Sequence, residues 1–143
     1  DVSLYASASY VLLALRQRHP DLPLKLIPGI TAVAAAGAAG AWPLALQQEP
    51  LLIRPTPETP AELSRLLDEA AAAGAVLALL KLGHRWAWVR PLLEHRRLLT
   101  ESLFARRLGW ADQQVCPGDQ LPADAQPYFS LVLVRQGWPP VLP

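Results

Sequence analysis

The chain has 143 residues, room for one domain or slightly more, and 52% of them are hydrophobic, enough for a sizeable core. Thirteen Lys and Arg stand against twelve Asp and Glu, a net charge of +1 with the basic residues scattered, which argues against nucleic acid or an anionic membrane as partner. The single cysteine, Cys116, excludes an intrachain disulfide and a cysteine-based zinc site, and no apolar run approaches the roughly 20 residues that span a bilayer.

The chain contains no methionine and opens on Asp1-Val2-Ser3-Leu4-Tyr5, which reads as a loop leaving a strand. Residues 1–29 are therefore expected to be the end of an α/β unit rather than the start of a fold. Residues 7–18 are predicted as a helix with Tyr10, Leu13 and Ala14 on one face, stopped by His19-Pro20. Residues 24–27 alternate like a strand, and Pro28-Gly29 ends it. Thr31 is a natural N-cap for an Ala-rich helix over residues 31–41. The turn before it would present free N–H groups to a polar ligand, with Gly29 supplying backbone freedom and room for the ligand to approach.

Residues 51–54 form a short strand. Thr59-Pro60 then opens a helix that runs to about Ala73 and is capped by Gly74. Residues 75–82 are almost unbroken apolar sequence, as expected of an inner strand covered on both faces. A helix follows over about residues 85–99, kinked or delayed by Pro91. Strands are expected at residues 102–106, 113–115 and 128–135, with a polar loop at residues 119–126. The tail Trp138-Pro139-Pro140 is expected to be extended and poorly ordered. The alternation of helices and strands gives an α/β layered domain with a mixed, mostly parallel sheet flanked by helices.

Ligands of such sheets bind at the carboxyl ends of strands. Lys81 ends an apolar strand, where a cation needs water or a partner; a solvated lysine is the ordinary explanation. Tyr128 and Ser130 alternate with Phe129, giving one polar face to the start of the last strand, as an ordinary strand entering a sheet also does. His19, His84 and His95 have no partners at metal-binding spacing, so no protein-bound metal is expected. No Gly-x-Ser-x-Gly, His-Glu-x-x-His or phosphate-loop pattern occurs. The Arg96-Arg97 and Arg106-Arg107 pairs are too few for a nucleic-acid stripe.

Together, Asp1-Val2-Ser3-Leu4-Tyr5, a helix, and Ile27-Pro28-Gly29-Ile30-Thr31-Ala32 resemble the S-adenosylmethionine-dependent tetrapyrrole methylase family. That family carries a Gly-Asp-Pro-x-x-Tyr-type loop, then a helix, then a strand ending in Pro-Gly-Val/Ile-Thr/Ser-Ala/Ser. Lys81-Leu82-Gly83-His84 and Pro127-Tyr128-Phe129-Ser130 are similar to its precorrin-2 C(20)-methyltransferase branch, in cobalamin biosynthesis. Val2 departs from the usual Pro, and Ala6 from the common Ser or Gly.

The resemblance implies a tetrapyrrole-methylase-like α/β fold. Residues 1–29 would close an N-terminal domain and residues 30–143 would form the C-terminal one. It implies a cleft that binds S-adenosylmethionine. Asp1, Leu4 and Tyr5 would line its methionine side, Thr31 and Ala32 the helix start, Lys81 another part of the wall, and the stretch from Tyr128 to Ser130 the adenosine side. It also implies a tetrapyrrole substrate, any cobalt travelling with that substrate, a cytoplasmic setting and a homodimer as the full-length protein. No catalytic nucleophile or base is assigned. The alternatives are another tetrapyrrole methylase, or a non-catalytic fragment that folds without binding cofactor.

Overall fold

The computed structural model of the protein describes residues 1–140. The elements run α1 (Ala8–Arg18), α2 (Ala32–Ala39), β1 (Leu51–Pro55), α3 (Pro60–Ala73), β2 (Val76–Leu80), α4 (Trp86–His95), β3 (Ser102–Arg106), β4 (Gln114–Pro117) and β5 (Ser130–Val134). The expected α/β architecture, a mixed sheet with helices against it, is what forms.

Local chemistry sets the helix ends. Thr59 and Glu62 cap α3 reciprocally: the Thr59 hydroxyl accepts from the Glu62 amide, and the Glu62 carboxylate accepts from the Thr59 amide. Gly74 ends α3 in a left-handed conformation at φ +59°, where a side chain would be strained. Thr31 caps α2 by accepting from the Ala34 amide at 3.1 Å. Helix α4 carries straight through Pro91 instead of starting near it, and it stops at His95, before the expected Leu99.

The sheet order is β1-β2-β5-β3-β4. Strands β1, β2 and β3 point one way, and β4 and β5 the other. The expected bias toward parallel pairing is corrected: only β1 and β2 pair parallel, and the other three pairings are antiparallel. The reason is topological. Helix α3 makes the one crossover between neighbouring strands, while the late strand β5 inserts between β2 and β3 and separates them.

Every residue of β2 and of β5 is buried, as the apolar run implied for β2. Alternate side chains serve two cores. Leu77, Leu79, Phe104 and Val132 pack with Leu63 and Leu67 of α3 and Trp86 of α4. Ala78, Leu103, Leu131 and Leu133 face the other way, toward Val33 and Ala36 of α2. The period-2 alternation of strands thus sorts the helices onto opposite faces.

One expectation fails here. Residues 24–27 form no strand, because among the described residues no strand lies beside them; Leu24, Leu26 and Ile27 are exposed. Helix α1 likewise buries no residue. In the tail, the Trp138 ring lies 4.2 Å from the Arg135 guanidinium and packs edge-on to Trp42.

Candidate functional site

The strand directions bring the carboxyl ends of β2 and β3 to one edge, beside the start of β5. A cavity of about 320 Å³ opens there. Its walls come from five separate stretches: Leu4 and Tyr5; Ala32; Leu80 and Lys81; residues around Arg107; and residues 128–131. A smaller cavity of about 130 Å³ shares Leu4, Ala32 and Leu80 with the first and adds Asp1, Thr31 and Val33. All eight candidate cofactor residues therefore line one of two adjoining cavities. Leu4, Tyr5, Ala32, Lys81, Tyr128 and Ser130 lie on the larger, and Asp1 and Thr31 on the smaller.

The backbone is strained at this site. Six non-glycine residues have positive φ, and three of them, Tyr5 (+51°), Lys81 (+56°) and Arg107 (+48°), line the larger cavity. Each costs on the order of 1–3 kcal/mol, so the surrounding structure must enforce them. Gly29 is not among the left-handed residues, so conformational freedom does not explain its presence; Asp1 lies against its open side.

Hydrogen bonds hold the wall in place. Ser130 is 5% exposed; its hydroxyl accepts from the Gly83 amide at 3.1 Å and donates to the Pro127 carbonyl at 2.6 Å. It ties the end of β2 to the start of β5. The Arg107 amide donates to the Phe129 carbonyl, anchoring the segment after β3. Asp1 accepts from the Ser3 amide at 2.7 Å and from the Gly29 amide at 3.3 Å, joining the opening loop to the Pro28-Gly29 turn. The Tyr5 hydroxyl donates to the Ile53 carbonyl at 3.3 Å, resting the loop on β1.

Trp110, Phe129 and Tyr128 form an exposed aromatic row at the mouth. Their ring centroids are 5.8 Å apart for Trp110 and Phe129, and 5.4 Å apart for Phe129 and Tyr128. The Arg107 guanidinium lies over Trp110 and pairs with Asp112. Just outside, Arg85 hydrogen-bonds Glu58 and holds its carboxyl below the usual range.

Sequence reasoning missed Arg107, Leu108 and Trp110. Residues 107–110 follow the carboxyl end of β3, so the strand-end rule pointed to them; Arg106-Arg107 was weighed only as a nucleic-acid feature. Among the described residues no three His, Cys, Asp or Glu side chains gather as metal ligands. No described helix is long and apolar enough to cross a membrane.

The chain is similar to known proteins over nearly its whole length. Cobalamin biosynthesis protein CobIJ of Mycobacterium tuberculosis (strain ATCC 25618 / H37Rv) is 35% identical over 137 residues, 96% of this chain and 26% of that protein. A precorrin-2 C(20)-methyltransferase of Sinorhizobium sp is 29% identical, covering 96% of this chain and 53% of that protein. The chain thus spans a quarter to about half the length of these curated relatives. Among solved structures, the methyltransferase CobJ superposes with a TM-score of 0.64 at 26% identity, over 94% of this chain and 61% of that one. A uroporphyrin-III C-methyltransferase from Thermus thermophilus, complexed with S-adenosylhomocysteine, shares the fold at 19% identity with a TM-score of 0.58, over 95% of this chain and 62% of that one. Residues 1–120 match the family model of tetrapyrrole (corrin/porphyrin) methylases, and the chain belongs to that family.

Proposed function

We propose that the protein transfers a methyl group from S-adenosylmethionine to carbon 20 of precorrin-2 or its cobalt form, in cobalamin biosynthesis. In this reading residues 1–29 end an N-terminal domain, residues 30–143 form the C-terminal one, and the full-length protein is a cytoplasmic homodimer. One observation carries it: stretches as distant as residues 1–5, 31–32, 81 and 128–130 converge on two adjoining cavities. The names of the relatives, CobIJ and precorrin-2 C(20)-methyltransferase, support the substrate class.

The lining suits the donor. An apolar cavity with an aromatic mouth fits an adenosyl group, and the polar corner at Asp1 and Thr31 fits an amino-acid end. Bound there, S-adenosylmethionine supplies an activated methyl group on a sulfonium sulfur. The chain's own contribution is position. Asp1 keeps the loop at residues 1–5 folded against the Gly29 turn and has lone pairs left for an ammonium. Thr31 starts α2 at the smaller cavity, where first-turn amides lack helical acceptors. Tyr128 offers its ring, and Ser130 fixes the strand start behind it. Attack by an electron-rich macrocycle carbon needs alignment and exclusion of water, and no nucleophile or base is assigned.

The test is turnover by the full-length protein with precorrin-2 and a methyl-labelled donor, followed by nuclear magnetic resonance of the product. Label at carbon 20 is expected. Label at another carbon would make the protein a different tetrapyrrole methylase, and no label would overturn the reading.

A further inference from the structure

The larger cavity has no Asp or Glu in its lining but has two cations, Lys81 and Arg107. Arg107 is neutralised by Asp112. Lys81 takes part in none of the ion pairs among the described residues. Its ammonium lies 6.0 Å from the centroid of the Tyr5 ring, at the outer limit of a cation–π contact. The residue is half-buried, and its φ is +56° immediately after the fully buried β2. A backbone that side chains seldom adopt here places a cation beside an apolar cavity without a counter-charge. Half-buried and engaged in no ion pair, this cation is open to a charge-assisted hydrogen bond from an anionic ligand in the cavity.

We infer that Lys81 is the anion-recognising residue of this cavity and pairs with a carboxylate of the bound ligand. The inference rests on the methyl-transfer reading of the site. A sulfonium is itself a cation, so an uncompensated ammonium beside it would be repelled; Lys81 serves a different part of the ligand pair. Two carboxylates are available, that of the donor's amino-acid end and those on the rim of a tetrapyrrole acid. Either would replace the missing counter-charge with a charge-assisted hydrogen bond.

Calorimetric titration of the full-length protein separates the two sources. The probes are S-adenosylhomocysteine, which has the carboxylate but no sulfonium, and 5′-methylthioadenosine, which has neither. If Lys81 binds the donor's carboxylate, Lys81→Met weakens S-adenosylhomocysteine by about tenfold or more, leaves 5′-methylthioadenosine unchanged, and Lys81→Arg restores most of the loss. If it binds the acceptor, Lys81→Met leaves both nucleosides unchanged but raises KM for precorrin-2 by a similar factor, with kcat little changed. Either pattern supports the inference. Unchanged affinities together with an unchanged KM would overturn it while leaving methyl transfer intact. Equal weakening of both nucleosides would also overturn it, because Lys81 would then only shape the cavity. A wild-type protein that binds neither nucleoside would overturn the methyl-transfer reading, and this inference with it.

Discussion

Arg135 closes an ion pair with Glu49, 86 positions earlier in the chain, and it does so at 1% side-chain exposure. Glu49 is itself only 14% exposed, and its second oxygen accepts from the Leu46 amide at 2.7 Å. The guanidinium also donates to the Pro43 carbonyl at 2.7 Å and is covered by Trp42 and Trp138. This arrangement pins the segment between α2 and β1 to the end of β5. Removing one partner leaves a buried charge uncompensated, so Glu49→Gln and Arg135→Met should each cost about 3–5 kcal/mol in denaturant unfolding. The double variant should cost clearly less than the sum; additive losses would show that the two charges do not act as a pair.

Ser130 gives the second expectation. Its hydroxyl accepts from the Gly83 amide and also serves the Pro127 carbonyl. Ser130→Ala leaves these groups short of a partner in a buried place, at a cost of about 1–3 kcal/mol. Ser130→Thr keeps the hydroxyl and should recover part of that loss. Chemical denaturation of the two variants reads the difference, and equal stability of Ser130→Ala and the parent would remove the tie from the account.

Acid should loosen two surface pairs. Hydrogen bonds from Arg85 to Glu58 and from Arg96 to Asp68 are the largest influences on those carboxyls, and they hold both below their ordinary values of 4.5 and 3.8 against the opposing effect of desolvation. A folded-state pKa below the unfolded one stabilises fully above the ordinary value, and that stabilisation drains as pH falls through the folded value. Melting temperature should therefore be insensitive to pH near neutrality and fall below about pH 4.5 as these pairs are lost. Glu58→Gln combined with Asp68→Asn should flatten that acid limb. An unchanged limb would assign it to other carboxylates.

How much of this was legible in the chain depended on range. The Thr59-Pro60 start and the Gly74 stop of α3 were readable because capping is settled within a few residues. The buried β2 was readable because its apolar run has no polar face to give to water. Insertion of β5 between β2 and β3 was not, since it depends on pairing across more than fifty residues in β2. Residues 24–27 have the right alternation for a strand and no neighbour to pair with, which no local pattern reveals. The candidate residues Asp1 to Tyr5, Thr31 and Ala32 came from motif resemblance; the Arg107 to Trp110 wall needed the direction of β3 before it had any meaning.

Thr31 separates capping from binding. Its hydroxyl oxygen accepts from the Ala34 amide, and the residue also lines the smaller cavity. Thr31→Val should lose about 1 kcal/mol of stability through the lost cap. In the full-length protein it should also weaken S-adenosylhomocysteine by about 1–2 kcal/mol, the worth of a hydrogen bond at a desolvated site. Thr31→Ser should restore both. Lost stability with unchanged affinity, read by calorimetry, would leave Thr31 as a cap alone.

Deleting residues 1–29 should separate the fold from the site. Helix α1 buries nothing, and residues 24–30 are all exposed, so the two cores on either side of the sheet owe this segment little. Among the described residues, its side-chain ties to the sheet and its strand ends are the Tyr5 hydroxyl on the Ile53 carbonyl and the Tyr5 ring near the Lys81 ammonium. Loss of one such bond is worth about 1 kcal/mol, so the shortened chain should still unfold cooperatively, with a midpoint close to that of the parent. The cavities should not survive so well, because Leu4 lines both of them, Tyr5 the larger and Asp1 the smaller. Binding of S-adenosylhomocysteine measured on both chains, alongside unfolding curves, makes the comparison. A deletion that melts the sheet would show that residues 1–29 belong to the same folding unit as the rest. A deletion that leaves both stability and affinity unchanged would remove Asp1, Leu4 and Tyr5 from the binding wall.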